Sequence, residues 1–213
     1  MSDHERFDDD ALTRISASTL GHYEARAEAF WEGARDHDVE QNRDALLRHL
    51  PTERPARILD IGCGPGRDLI AFAAAGHAPV GLDGARRFCE MARAHAGCEV
   101  LHQDFLSLAL PPSAFDGVFA NASLFHVPRQ ELPRVLSQLW VTLRPGGVLF
   151  ASNPRGNNVE GFNGERYGSY LDHPSWQALM NAAGFEELEH YYRPPGRPRA
   201  QQPWLAIVCR KPK

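Results

Sequence analysis

The sequence predicts an α/β fold, a mostly parallel sheet with helices on both faces and a helical segment in front of it. Three observations carry that expectation. The apolar run Ile58, Leu59, Ile61 opens directly onto Gly62, Gly64 and Gly66, as a buried parallel strand does when it passes through a tight turn into a helix. Short apolar runs then alternate with helical stretches as far as residue 152, the pattern of strand–helix–strand crossovers. The second strand ends on an acid, Asp83, at about the offset from which a carboxylate reaches a ribose hydroxyl pair.

Taken in order, residues 1–10 are polar and acid-rich and are expected to fray. Tyr23, Ala27, Phe30 and Trp31 share one helical face within Ala11–Ala34. Val39, Leu46, Leu47 and Leu50 predict a second helix, capped by Asp38 and stopped by Pro51 and Pro55. Neither is needed to build a sheet, so residues 1–50 are expected to form a lid and residues 51–213 the domain beneath it. Strands are expected at 57–62, 79–83, 99–102, 115–121 and 147–152, with helices at 67–76, 85–96 and 129–143. Gly156, Gly161, Gly164 and Gly168 then predict a long loop over 153–172. A helix at 174–183 and strands at 185–192 and 204–209 complete the chain, giving seven strands.

The 213 residues suffice for one sizeable domain. Hydrophobic residues make up 43% and charged residues 23%, which is ordinary for a globular protein. A net charge of −4 offers no electrostatic footprint for nucleic acid or an anionic membrane. The cysteines at 63, 89, 98 and 209 form no C-x-x-C pair, so neither a metal site nor a disulfide framework is expected. Residues 1–20 hold no continuous apolar core, and no run approaches the ~18 apolar residues of a membrane span. A reducing cytoplasm is the expected setting.

The glycine turn departs from a dinucleotide fingerprint, because Arg67 stands where the third glycine of G-x-G-x-x-G would fall. Asp60-Ile-Gly-Cys-Gly-Pro-Gly66, Asp83, Gln103-Asp104-Phe105, Phe115–Asn121 and Leu143-Arg-Pro-Gly-Gly147 resemble, in that order, the motifs of the class I S-adenosylmethionine-dependent methyltransferases. The resemblance covers roughly residues 55–210. It implies a Rossmann-like sheet whose last strand runs antiparallel, with S-adenosyl-L-methionine as cofactor. On it, Asp60, Gly62, Gly64, Gly66, Asp83, Asp104, Phe105 and Asn121 are the expected cofactor contacts. It also implies that the helical segment covers the cofactor.

The same resemblance implies that residues 121–126 and the helical cover border the acceptor, and residue chemistry there and in 153–193 supplies the candidates. His126, Tyr23 and His37 are the candidates for moving or orienting a proton. Phe30, Asp38, Ser123, Asn153, Arg155, Tyr167 and Tyr191 are the candidates for holding the acceptor, with Arg155 able to clamp a carboxylate. Asn121-Ala-Ser-Leu lacks the Asn-Pro-Pro-aromatic pattern of DNA amino-methyltransferases, which argues against a flipped base. The expected function is methyl transfer to a small molecule with a nitrogen, oxygen or sulfur nucleophile. A protein or RNA methyltransferase with a partner, a non-catalytic cofactor-binding module and a nicotinamide oxidoreductase are the alternatives. Oligomeric state is left open.

Overall fold

The computed structural model describes residues 6–51 and 55–213. Residues 1–5 of the expected frayed segment, and residues 52–54 between the two helix-stopping prolines, lie outside the described residues. The chain runs through α1 (Asp9–Ala25), α2 (Ala27–Ala34), α3 (Glu40–Leu47), β1 (Arg57–Ile61), α4 (Arg67–Ala74), β2 (Ala78–Asp83), α5 (Arg86–Ala96), β3 (Val100–His102) and β4 (Phe115–Asn121). It continues with α6 (Leu132–Thr142), β5 (Leu143–Pro154), β6 (Val159–Asn163), β7 (Arg166–Tyr170), α7 (His173–Ala182), β8 (Glu186–Arg193) and β9 (Trp204–Arg210).

Seven strands form one sheet in the order β3-β2-β1-β4-β5-β9-β8. β1 to β5 pair parallel, and β9 runs antiparallel between β5 and β8. Alternation along β4 sends Val118 and Ala120 to one face, with α6 and α7, and Phe119 to the other. On that second face Phe119 stacks on Phe150 with centroids 4.9 Å apart. The strand order reverses between β1 and β4, so a crevice opens beyond the carboxyl ends of these strands, where open α/β sheets bind ligands.

Local outcomes differ from the sequence reading in four places. The first is the start of α1, which lies inside the acid-rich stretch. Asp8 accepts from the Ala11 N–H at 2.7 Å. Asp9 and Asp10 sit in the first turn, where the helix dipole favours negative charge. Secondly, the expected 11–34 helix breaks at Arg26 (φ −122°, ψ 20°) into α1 and α2. That break brings the Tyr23 and Phe30 rings edge to face at 5.6 Å.

The third difference moves the boundary of the cover. Asp38 accepts from the Glu40 N–H at 3.0 Å, and α3 then buries Ala45 and Leu46 completely against Ile58, Phe72, Phe119 and Phe150. The helix α3 therefore packs on the sheet itself, unlike what a separate lid over residues 1–50 would require. Truncating Leu46 to alanine would cost about 2–5 kcal/mol, the usual range for a buried leucine.

Finally, residues 159–170 form the β6–β7 hairpin instead of a loop. Gly164, in the left-handed region at φ +64°, opens a two-residue connection of the kind that matches strand twist. Val159, Phe162, Tyr167 and Tyr170 supply the β-forming residues.

Candidate functional site

A cavity of about 710 Å³ lies at the strand ends, beneath α1 and α2. Its floor follows from the glycine turn. Gly62 sits at φ +74°, and a Cβ there would lie 2.4 Å from the Ser123 Cβ. Only glycine lets β1 turn so close beneath β4. Gly66 (φ +97°) allows a second close approach, since its Cβ would meet the Ala92 Cα of α5 at 3.0 Å. Over Gly64 lies the Phe30 ring, 3.6 Å from where a Cβ would be.

Three carboxylates line the wall formed by β1, β2 and the segment after β3. Asp83 Oδ2 accepts from Gly64 N–H and Oδ1 from Ala85 N–H, both at 2.9 Å. Each oxygen can accept a further bond. Burial pushes the Asp83 carboxyl up to about 6, against the pull of those backbone donors. Asp60 is buried, and its Oδ2 has no hydrogen-bond partner among the described residues. Burial first, and then the charges of Asp68 and Asp83, raise its pKa well above the ordinary range; Arg67 opposes them. Asp104 accepts from Leu106 N–H at 2.8 Å through Oδ1 and from the Ser16 hydroxyl of α1 through Oδ2. Phe105 lies beside Gly62 on the same wall.

Across the cavity, His126 and Tyr23 meet. His126 Nδ1 lies 2.6 Å from the Tyr167 carbonyl, which can only accept, so Nδ1 carries the proton. Nε2 is then the acceptor for the Tyr23 hydroxyl at 2.8 Å. Burial lowers the His126 pKa to about 4, so the ring is neutral at neutral pH. Burial raises the Tyr23 pKa, while a hydrogen bond from Arg166 pulls it down.

The cover is clasped rather than loosely laid. Thr19 Oγ1 accepts from Tyr167 N–H at 3.0 Å, Ser18 donates to the Glu165 carbonyl at 2.8 Å, and Glu165 pairs with His22 and Arg26 at 2.9 and 3.0 Å. At the other end Arg67 donates to the Ala34 carbonyl at 3.1 Å while pairing with Asp68 at 2.6 Å. Arg67, where the sequence lacks a third glycine, thus ties α2 to the glycine turn.

Of the remaining candidates, His37 for moving a proton and Phe30, Asp38 and Ser123 for holding the acceptor line the cavity. The Ser123 hydroxyl is spent on the Ile61 carbonyl at 2.7 Å. Asn153, Arg155, Tyr167 and Tyr191 stand off the cavity wall. Asn153 is buried and accepts from Phe125 N–H at 3.0 Å, holding the segment that carries His126. Arg155 donates to the Gln202 and Arg199 carbonyls at 3.2 and 2.9 Å, which turns it toward the β8–β9 connection. Tyr167 contributes its backbone, as above. Tyr191 donates to Asn42 Oδ1 at 2.9 Å, and Asn42 Nδ2 donates to Asn121 Oδ1 at 2.9 Å. Asn121 is thereby oriented at the cavity through a residue absent from the sequence's site candidates. The signal was present: Asn42, Ala45 and Leu46 share one helical face, so a polar residue sits on the buried stripe of α3.

Away from the cavity, His173, Glu187 and His190 bring donor atoms within 4.8 Å of one another. Glu187 accepts from both histidines, at 3.0 and 2.7 Å, and from Gln177 at 2.9 Å. No helix among the described residues is long and apolar enough to cross a membrane.

Residues 58–147 match the family model described as a methyltransferase domain. The chain is 34% identical over 132 residues to malonyl-[acyl-carrier protein] O-methyltransferase of Enterobacter lignolyticus, covering 59% of this chain and 52% of that one. It is 34% identical over 127 residues to trans-aconitate 2-methyltransferase of Variovorax paradoxus, covering 56% and 48%. It thus spans about half the length of the curated relatives it matches. Its fold is that of Burkholderia thailandensis 1,6-didemethyltoxoflavin-N1-methyltransferase, solved with 1,6-didemethyltoxoflavin and S-adenosylhomocysteine. The TM-score is 0.79 at 21% identity, over 98% of this chain and 93% of that one.

Proposed function

We infer that this chain, which belongs to the class I S-adenosylmethionine-dependent methyltransferases, transfers a methyl group from S-adenosylmethionine to a small molecule bound in the cavity at the strand ends. The observation that carries this reading is the wall of Asp60, Asp83 and Asp104, the first two of them buried, around a turn that only glycine can make. That wall fits the cofactor. The unpartnered Asp60 Oδ2 suits a cationic donor, the spare capacity of Asp83 suits a pair of ribose hydroxyls, and Phe105 offers a flat apolar surface for the base.

When bound, S-adenosylmethionine supplies a methyl group already activated on a sulfonium. The chain's own contribution is placement and exclusion of water, and orientation of this kind accounts for ~7–11 kcal/mol of barrier in favourable cases. The helices α1 and α2 close the cavity from above as a lid, held by the β6–β7 hairpin. Tyr23 spends its proton on His126 and so presents oxygen lone pairs to the cavity. An O–H, N–H or S–H nucleophile on the acceptor is oriented by donating to that oxygen, and its proton has a path through Tyr23 to His126 Nε2. The names of the similar proteins, with trans-aconitate and 1,6-didemethyltoxoflavin among them, agree with a small acceptor.

The test is calorimetric titration with S-adenosylmethionine and with NAD, followed by labelled methyl transfer to a metabolite extract, to protein and to RNA. Binding of S-adenosylmethionine alone, with label entering the metabolite fraction, is the expected result. Label entering only protein or RNA would replace the small-molecule reading.

A further inference from the structure

The charges around the cavity are segregated across the sheet. Asp104, Asp83 and Asp60 stand at the ends of β3, β2 and β1, on the half that suits a cofactor with cationic groups. On the other half, over β4 to β8, the wall carries two guanidinium groups, Arg166 at the start of β7 and Arg193 at the end of β8. Arg166 lies 6.0 Å from the Tyr23 ring centroid, close enough for its charge to pull the Tyr23 pKa down against burial. Arg193 donates one Nη2 hydrogen to the Asp38 carbonyl at 2.9 Å, and its buried Nε has no hydrogen-bond partner among the described residues.

Neither guanidinium forms an ion pair with a carboxylate among the described residues. The contrast is Arg67, which reaches Asp68 at 2.6 Å. The Asp38 carboxylate, next to Arg193 in space, is turned to the Glu40 N–H instead. A cation set in a cleft with low-dielectric walls and no counter-charge is unfavourable until an anion joins it. A guanidinium keeps a planar fork of donors for an oxyanion, and Arg166 uses little of its own.

Resting on the methyltransferase reading above, we propose that the methyl acceptor is a small organic oxyanion, a carboxylate or phosphate bearer, whose charged group is held by Arg166 and Arg193. The nucleophile then lies toward Tyr23, because Arg166 stands beside that ring. The same two charges raise the local concentration of anions over neutral competitors, as a charged cleft does.

The test separates this proposal from the cofactor reading. Protein is first titrated with S-adenosylhomocysteine; failure there counts against the cofactor assignment of the acidic wall. The S-adenosylhomocysteine complex is then dialysed against a metabolite extract, and retained compounds are identified by anion-exchange behaviour and mass. Retention of an anion is expected, and its mass distinguishes carboxylate from phosphate. In Arg166→Met and Arg193→Met that retention should fall roughly 10- to 100-fold while the S-adenosylhomocysteine affinity is unchanged. Arg166→Lys, which keeps the charge and loses the fork, should retain the anion at an intermediate level. A purely structural role for Arg166 would not grade with charge in that way. Retention of only neutral or cationic compounds, of no anion, or of the anion at wild-type level in both Met variants overturns the proposal.

Discussion

Tyr23 donates its hydroxyl proton to Nε2 of His126 across 2.8 Å, from positions 103 residues apart in the chain. The bond spans the cover and the sheet, so it exists only when α1 is seated. Tyr23→Phe deletes it and leaves Nε2 unpaired. Turnover should fall about 10- to 100-fold, the equivalent of one hydrogen bond to a reacting group, with S-adenosylhomocysteine affinity unchanged. Single-turnover kinetics beside a binding titration checks this; equal losses in both would move Tyr23 to the cofactor side.

His126 also carries a stability signature. Its pKa is about 4 in the fold against about 6.5 in the unfolded chain, so unfolding takes up a proton between those values. Its contribution is therefore present above about pH 6.5 and is lost as pH falls toward 4. That depression corresponds to about 3 kcal/mol at most, reduced because the ring is partly open to the cavity. Denaturant unfolding of the wild type and of His126→Gln should show the wild type gaining on the variant as pH rises across that window. A difference independent of pH would contradict the buried neutral ring.

Asp83 runs the opposite way, with a pKa of about 6 in the fold against 3.8. Hydroxyl donors favour its ionised form, so cofactor binding should release a proton below about pH 6 and weaken as pH falls further. Above that the affinity should be flat. Asp83→Asn should bind roughly 10- to 150-fold more weakly and lose most of this dependence, because a charged acceptor has become a neutral one. Titrations in buffers of different ionisation enthalpy read the proton directly. An unaltered pH profile in the variant would assign the dependence to Asp60.

Gly62→Ala tests the floor of the cavity. The left-handed backbone costs about 1–2 kcal/mol for a non-glycine residue, and overpacking against Ser123 adds about 1–3 kcal/mol. A lower unfolding midpoint with near-complete loss of cofactor binding is expected. Ser123→Gly in the same chain should restore part of the binding by removing the overlapping Cβ. No restoration would place the damage in the backbone alone.

Deleting residues 1–34 removes α1 and α2 but keeps α3, which belongs to the sheet. A cooperatively unfolding core that binds S-adenosylmethionine more weakly, with turnover falling far more than binding, is expected. Thermal unfolding, titration and turnover on the truncated protein decide it. Full activity would exclude a lid.

Features built from neighbouring residues were legible in the sequence. The β1 turn, the acid ending β2 and the strand alternation all depend on contacts between segments close together in the chain. What escaped depends on distant partners. Leu46 reads as a lid residue until Phe119 and Phe150 arrive beneath it. Four glycines in 153–172 hid a hairpin, because their number suggested a loop while a single one, Gly164, made the turn. Tyr191 and Arg155 do lie near strand ends in sequence, but side-chain direction sends one to Asn42 and the other to the β8–β9 connection. Glu187 and His190, three apart on a strand, would face opposite sides. The bulge between Glu187 and Glu189 pairs them with Cys209 and Ile207 and so puts them on one side.

The bond between Thr19 and the Tyr167 backbone joins residues 148 positions apart. On the ribosome, chains grow at roughly 5–20 residues per second, so the two are separated by about 7–30 s of synthesis. Until Tyr167 emerges, the Thr19 hydroxyl lacks the hairpin partner it has in the finished fold. The covered cavity is thus completed late in synthesis, and a nascent chain halted before β7 cannot yet have it.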